Sequence, residues 1–181
     1  MARRHKASEH PVHFISGYVR HRVPLFQTRP HFAQLFLDAL CFYRQKLGLR
    51  IYGYVVMPDH YHLLLGFPYG LRISDFLRDF KSYLSRQIVE RLTTEKDLGL
   101  LRRFQLSRPR KRRRDPTYGI LQPDNDDRVI YTEKFFQQKL RYIHNNPVRK
   151  ALVAAAADYP WSSCRSYLTG VADPIALDAW S

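Results

Sequence analysis

His60 and His62 stand two residues apart in the run Val55-Val56-Met57-Pro58-Asp59-His60-Tyr61-His62-Leu63-Leu64-Leu65. On a strand that spacing points both imidazoles to one side of a sheet. Neutral imidazole is the commonest nitrogen ligand of a transition metal, so the pair can close on one ion. Two nitrogens leave such an ion open-sided, and an open side admits substrate oxygens. Phosphate oxygens in that shell suit a small divalent cation, Mg2+ or the more imidazole-tolerant Mn2+. A second reactive group lies far downstream. Between Thr132 and Pro147 the apolar stripe is Phe136, Leu140 and Ile143, whereas Tyr142 falls on another stripe with Gln138, Asn145 and Asn146. A phenol kept out of the core can attack a phosphodiester and hold the strand end as an ester.

Composition says what such a site would act on. The 181 residues carry a formal charge of +14 and a pI near 10.1, so a polyanion is the expected partner, nucleic acid first among them. The hydrophobic fraction of 45% suits a folded chain, and the apolar runs are too short to span a bilayer. No apolar core follows the basic start Arg3-Arg4-His5-Lys6, and two lone cysteines, Cys41 and Cys164, fit no zinc spacing. The expectation is an intracellular protein of the cytoplasm and nucleoid, with no membrane partner. Phosphate contacts are expected from Arg3, Arg4 and Lys6, from Arg108, Arg110, Lys111, Arg112, Arg113 and Arg114, and from Arg78 and Lys81 off the second helix's stripe. Tyr69 or Tyr118 would suit a stacked base, and Trp161 a packing anchor.

The elements that must position these groups follow from periodicity. Val12 to Val19 reads as a first strand, and Pro30 opens a helix that Gly48 stops. Arg50 to Met57 and Tyr61 to Gly66 form a hairpin across Pro58-Asp59. A second helix follows Ser74 as its cap, and a long polar connection runs from Thr93 to Asp127. Tyr118 to Leu121 or Arg128 to Tyr131 would supply a last strand. A third helix spans about Glu133 to Asn145 and ends at Pro147. This order predicts an α+β fold: a ferredoxin-like sandwich with a central antiparallel sheet and helices packed on one face. A basic arm over 1–10, a single domain over 11–170 with a basic loop at about 93–127, and a tail over 171–181 complete the expected organisation.

The segments VVMPDHYHLLL (55–65), DFLRDFKSYLSRQI (75–88), RYIHNNPVRKALV (141–153) and DYPWSS (158–163) together resemble the single-tyrosine HUH transposases, and within them the REP-associated tyrosine transposases. They cover most of residues 12–168 in the expected order. The resemblance implies cleavage and rejoining of single-stranded DNA that folds into imperfect hairpins. It implies His60 and His62 as metal ligands, Asn146 as a third, and Tyr142 as the nucleophile of a 5′-phosphotyrosine intermediate. It also implies a monomer, with a homodimer as the alternative. Relatives usually carry a Trp-Gln pair before the tyrosine helix; here only Gln122 is recognisable, which makes it a candidate DNA contact. The rival expectation is a hairpin DNA- or RNA-binding regulator whose site is silent.

Overall fold

The structure, a computed structural model, describes residues 10–106, 119–172 and 174–180. Along the chain come β1 (Val12–Tyr18), a 3-10 turn (Arg20–Arg22), α1 (Leu25–Thr28), α2 (Pro30–Leu47), β2 (Arg50–Met57) and β3 (His60–Gly66). Then follow α3 (Ile73–Thr94), α4 (Leu98–Leu106), β4 (Asp126–Ile130), α5 (Glu133–Arg149), a 3-10 turn (Ala156–Asp158) and α6 (Cys164–Thr169). The four strands form one sheet in the order β2-β3-β1-β4, with every neighbouring pair antiparallel. The expected α+β, ferredoxin-like arrangement is what this order describes, with α2 and α3 as the crossover helices. No helix among the described residues is long and apolar enough to cross a membrane.

The expectation of helices on one face holds for α2 and α3 and is corrected for α5. Phe32, Phe36, Leu40, Phe76, Phe80 and Leu84 pack with Ile15, Tyr61, Leu63 and Leu65 in one core. On the opposite face Phe136, Leu140 and Ile143 of α5 pack with Phe14, Tyr52, Val55 and Leu64. Two cores on one sheet explain why every residue of β3 is buried. Gly53 lets α5 come close, since a Cβ there would lie 2.8 Å from Leu140 Cδ1.

Other boundaries differ for local reasons. Gly48 ends α2 as expected, in the left-handed region at φ +67°, with its N–H donating to Arg44 O at 2.9 Å. Helix α3 starts at Ile73, so Ser74 lies inside it and Arg72 takes the cap position without a side-chain bond. The polar connection after α3 contains α4, whose nine residues are too short for a clear repeat. Of the two candidate last strands the second overlaps β4, while Leu121 makes only an isolated bridge to Val19. Pro147 does not stop α5; it sits in the last turn, and the helix runs on to Arg149. Only one hydrogen bond is forfeited that near an end, and Thr132 caps the start by accepting from Phe135 N at 3.2 Å.

The segment DYPWSS seals the outer edge of β2. Val56 N donates to Trp161 O at 2.8 Å, Ser163 N to Tyr54 O at 3.0 Å, and Tyr159 Oη to Val56 O at 2.9 Å. Trp161 is half-buried against the α2–α3 core, as a packing anchor should be. Paired in this way, the edge offers no template to a second chain.

A bulky Tyr61 between the two histidines fits because Gly17 is its partner across β1 and β3. A Cβ built at Gly17 would collide with the hydroxyl end of the Tyr61 ring. Gly17→Ala should therefore cost about 1–3 kcal/mol of stability, read from urea denaturation, as overpacking of a filled interior does. An unchanged midpoint would show that the ring has room to move.

Candidate active site

Strand alternation sends His60 and His62 to the α5 face and Tyr61 to the α2–α3 face. Both imidazoles are buried. His60 Nδ1 lies 2.6 Å from Asp59 Oδ1, and His62 Nδ1 lies 2.7 Å from Ser16 Oγ. Ser16 is the residue directly opposite His62 in the β1–β3 ladder, so the register itself supplies the bond. Asp59 is held in turn: its Oδ2 accepts from Arg22 Nε at 2.9 Å, and its peptide oxygen accepts from Val19 N at 2.8 Å. Arg22 reaches it from a left-handed backbone at φ +54°, and its guanidinium covers the Tyr18 ring at 4.3 Å. That backbone costs a non-glycine residue roughly 1–2 kcal/mol.

Anchoring each ring through Nδ1 directs its Nε2 away from the anchor. His62 Nε2 is buried and has no hydrogen-bond partner among the described residues. A buried polar atom without a partner is rare and marks a place for a ligand. Two imidazoles sharing one ion at about 2.1 Å leave their ring centres roughly 5 Å apart. The His60 and His62 centres are 5.1 Å apart, with the rings at 78°. Burial pushes the His62 imidazole down to about 3, with charges on His60, Lys139 and Arg22 adding to it. Burial lowers His60 too, against the opposing pull of Asp59. Both rings are thus neutral near pH 7, the state a metal requires. The pair fits a divalent cation. Among the described residues no group of three His, Cys, Asp or Glu side chains adds a further ligand, so the remaining positions would fall to an amide and to substrate oxygens.

Tyr142 comes to this pair from α5. Its ring centre lies 5.1 Å from that of His62 and 5.9 Å from that of Phe14, and the residue remains 36% exposed. An exposed phenol beside a buried imidazole is reachable from outside while its neighbour is not. Asn146 is buried one turn further along α5. Lys150, one turn beyond that, acts electrostatically on His60. The row Tyr142, Asn146, Lys150 therefore runs along the histidine pair, with the Asn146 side chain between its two ends.

The expected DNA contacts fare differently. Arg3, Arg4, Lys6, Arg108, Arg110, Lys111, Arg112, Arg113, Arg114 and Tyr118 lie outside the described residues. Lys81 is corrected: its ammonium is buried and donates to the peptide oxygens of Gln122, Pro123 and Asp124 at 2.6, 2.8 and 3.3 Å. It holds a loop and has no donor to spare for phosphate; helical periodicity alone could not see the loop that returns to it. Burial lowers it to about 8. Arg78 is exposed and ion-paired with Asp75 and Asp79. Both line a groove of about 420 Å³ between α3 and residues 121–127, and the Lys81 ammonium caps the loop residue Gln122. Three site residues escaped the sequence reading. Asp59 was visible beside His60 but served only as turn chemistry, Ser16 depends on strand register, and Lys139 precedes Tyr142 at helical spacing.

The family described as "Transposase IS200 like" matches residues 6–105, which is 100 of the chain's 181 residues. The chain belongs to the IS200-like transposase family. That match contains both histidines and ends before Tyr142. A curated Haemophilus influenzae protein with the provisional name REP-associated tyrosine transposase is 31% identical over 113 residues, 60% of this chain. The IS200-like chain aligns with 54% of that relative's length. A solved structure of a REP-associated tyrosine transposase bound to a REP hairpin shares the fold, with a TM-score of 0.63 at 21% identity over 94% of this chain and 88% of that one.

Two outcomes follow for this IS200-like site. Asp59→Asn should weaken Mn2+ binding roughly 10- to 100-fold by titration calorimetry, because it loosens the anchor of a ligand ring; unaltered affinity would detach Asp59 from the site. The second concerns pH. His62 is held near 3, and burial holds His144, bonded to Ser163 Oγ at 3.0 Å, near 4. Unfolded histidines take up protons below about 6.5, so the unfolded chain binds more protons than the folded one from there downward. Folding stability of the metal-free protein should be full above pH 6.5 and fall steadily toward pH 4, less steeply in His144→Gln. Denaturation midpoints constant from pH 7 to 5 would contradict this.

Proposed function

We propose that the protein is a metal-dependent single-stranded DNA endonuclease and strand transferase acting on hairpin-forming, REP-like DNA. The observation that carries this reading is the Tyr142 ring 5.1 Å from the ring of His62, whose buried Nε2 has no partner among the described residues. Membership of the IS200-like family and the hairpin held by the structural neighbour support the choice of substrate. The net charge of +14 supports a polyanion of either form.

His60 and His62 hold a divalent cation, Mg2+ or Mn2+, with Asn146 as a third ligand. When bound, that ion supplies polarisation of the scissile phosphate and stabilises the charge that develops there. Tyr142 Oη attacks the phosphorus, the bond to the 3′ oxygen breaks, and the phenol proton leaves as the 3′ oxygen gains one. The product is a 5′-phosphotyrosine with a free 3′-hydroxyl. Attack on it by another 3′-hydroxyl reverses these changes and restores the phenol, so rejoining needs no nucleotide cofactor. Asp59 and Ser16 fix the imidazoles before substrate arrives, which is the preorganisation such chemistry demands. Nucleophile and imidazoles meet within one chain, which supports a monomer as the working unit, in the cytoplasm where the DNA is.

Mixing the protein with an end-labelled single-stranded hairpin and Mn2+ should yield a protein–DNA adduct that survives denaturation. Tyr142→Phe should abolish the adduct and leave hairpin affinity nearly intact. His62→Ala should slow it by roughly a hundredfold or more, the loss of several kcal/mol of charge stabilisation. Tight hairpin binding with no adduct at any metal concentration would favour the silent regulator instead.

A further inference from the structure

Lys139 sits beside the nucleophile and the histidine pair without a role in holding either. Lys139 precedes Tyr142 by three residues on α5, so the two side chains are neighbours on the helix surface. Its Nζ lies 4.3 Å from the centre of the Phe14 ring, 5.4 Å from that of Phe135 and 5.7 Å from that of Tyr142. Phe14 stacks in turn on His62, with ring centres 5.5 Å apart and planes 18° from parallel. The ammonium is thus fixed over an aromatic platform that also carries the imidazole and the phenol.

Its electrostatic surroundings are unusual. Lys139 is half-buried, and no carboxylate pairs with it among the described residues. Burial and the charge of Arg128 weaken its hold on its proton, and only Asp126 opposes them. The ring faces hold such a cation only by the weak attraction of their quadrupoles. Lys81, which is buried, spends its ammonium on three peptide oxygens, whereas the Lys139 ammonium makes no hydrogen bond or ion pair among the described residues. A phosphate reached by the Tyr142 oxygen and by the histidine pair must lie against this platform.

We propose that Lys139 is a catalytic phosphate contact, binding a non-bridging oxygen of the phosphodiester that Tyr142 attacks. The assignment rests on the strand-transferase reading. Lys139 keeps its proton throughout; it offsets the negative charge that grows on the phosphate while the bond to Tyr142 forms and the bond to the 3′ oxygen breaks. The aromatic seat replaces the carboxylate that would otherwise orient the ammonium, and a carboxylate there would repel the DNA.

The test uses full-length protein and a synthetic REP-type hairpin flanked by single strands. Binding is measured first, in the Tyr142→Phe background, with single methylphosphonates placed in turn along the flanks. One phosphate should be coupled to Lys139: its neutralisation weakens binding by the lysine protein and leaves Lys139→Met unaffected, and Lys139→Met should lower the salt slope of log K by about 0.7. With Tyr142 present, that same phosphate should be the one found on the tyrosine. At saturating DNA, Lys139→Met should form adduct roughly 10²- to 10³-fold more slowly, and Lys139→Arg should recover most of the rate. A purely structural lysine would show no coupling at any phosphate and no rescue by arginine, and either result overturns the proposal. So does coupling to a phosphate other than the one cleaved. Coupling with no adduct from any protein would instead sink the transferase reading and leave an anion contact without a catalytic role.

Discussion

Burying two imidazoles in a sheet covered on both faces is costly unless each ring nitrogen finds a use. Asp59 and Ser16 satisfy the two Nδ1 atoms, and the ladder between β1 and β3 places the second of these opposite its ring. What remains is the His62 Nε2, which has no partner among the described residues. Everything around the site follows from leaving that atom free while holding its ring still. Tyr61 must point away, which needs the space at Gly17; Arg22 must adopt a strained backbone to steady Asp59. These are compensations that a sheet without a site would have no reason to carry.

Helix α5 serves two purposes with one sequence. Phe136, Leu140 and Ile143 close the second core, and the adjoining stripe presents Lys139, Tyr142 and Asn146. The same helix turn that fixes the packing therefore fixes the phenol. Gly53 sharpens the arrangement by drawing Leu140 onto β2, and DYPWSS secures the far edge of that strand. Motifs that look unrelated in the sequence are thus parts of one support.

Much of this was legible beforehand. Alternation around His60 and His62 placed them on one face, and the off-stripe position of Tyr142 kept it clear of the core; both depend only on local periodicity. Strand β2 and helix α2 were visible for the same reason, with Gly48 marking the stop of α2. Periodicity fails where partners are distant in sequence. Ser16 is invisible as an anchor until two strands are in register, and Lys81 looks like a surface cation until a loop 41–43 residues on returns to cap it. The side of the sheet taken by α5 is equally unreadable, because an amphipathic stripe says that a helix packs and not against which face. Pro147 misled because a proline in a last turn forfeits little.

The apolar anchoring of α5 also limits the excursions open to the phenol. Burying Phe136, Leu140 and Ile143 is worth roughly 1.5–3 kcal/mol apiece, so lifting the helix off the sheet would strip a core from the protein. Only side-chain rotation is cheap. A tyrosine tethered in this way cannot ferry a strand end from one place to another. If an exchange takes place, the polynucleotide must do the travelling, its incoming terminus threading to a stationary acceptor.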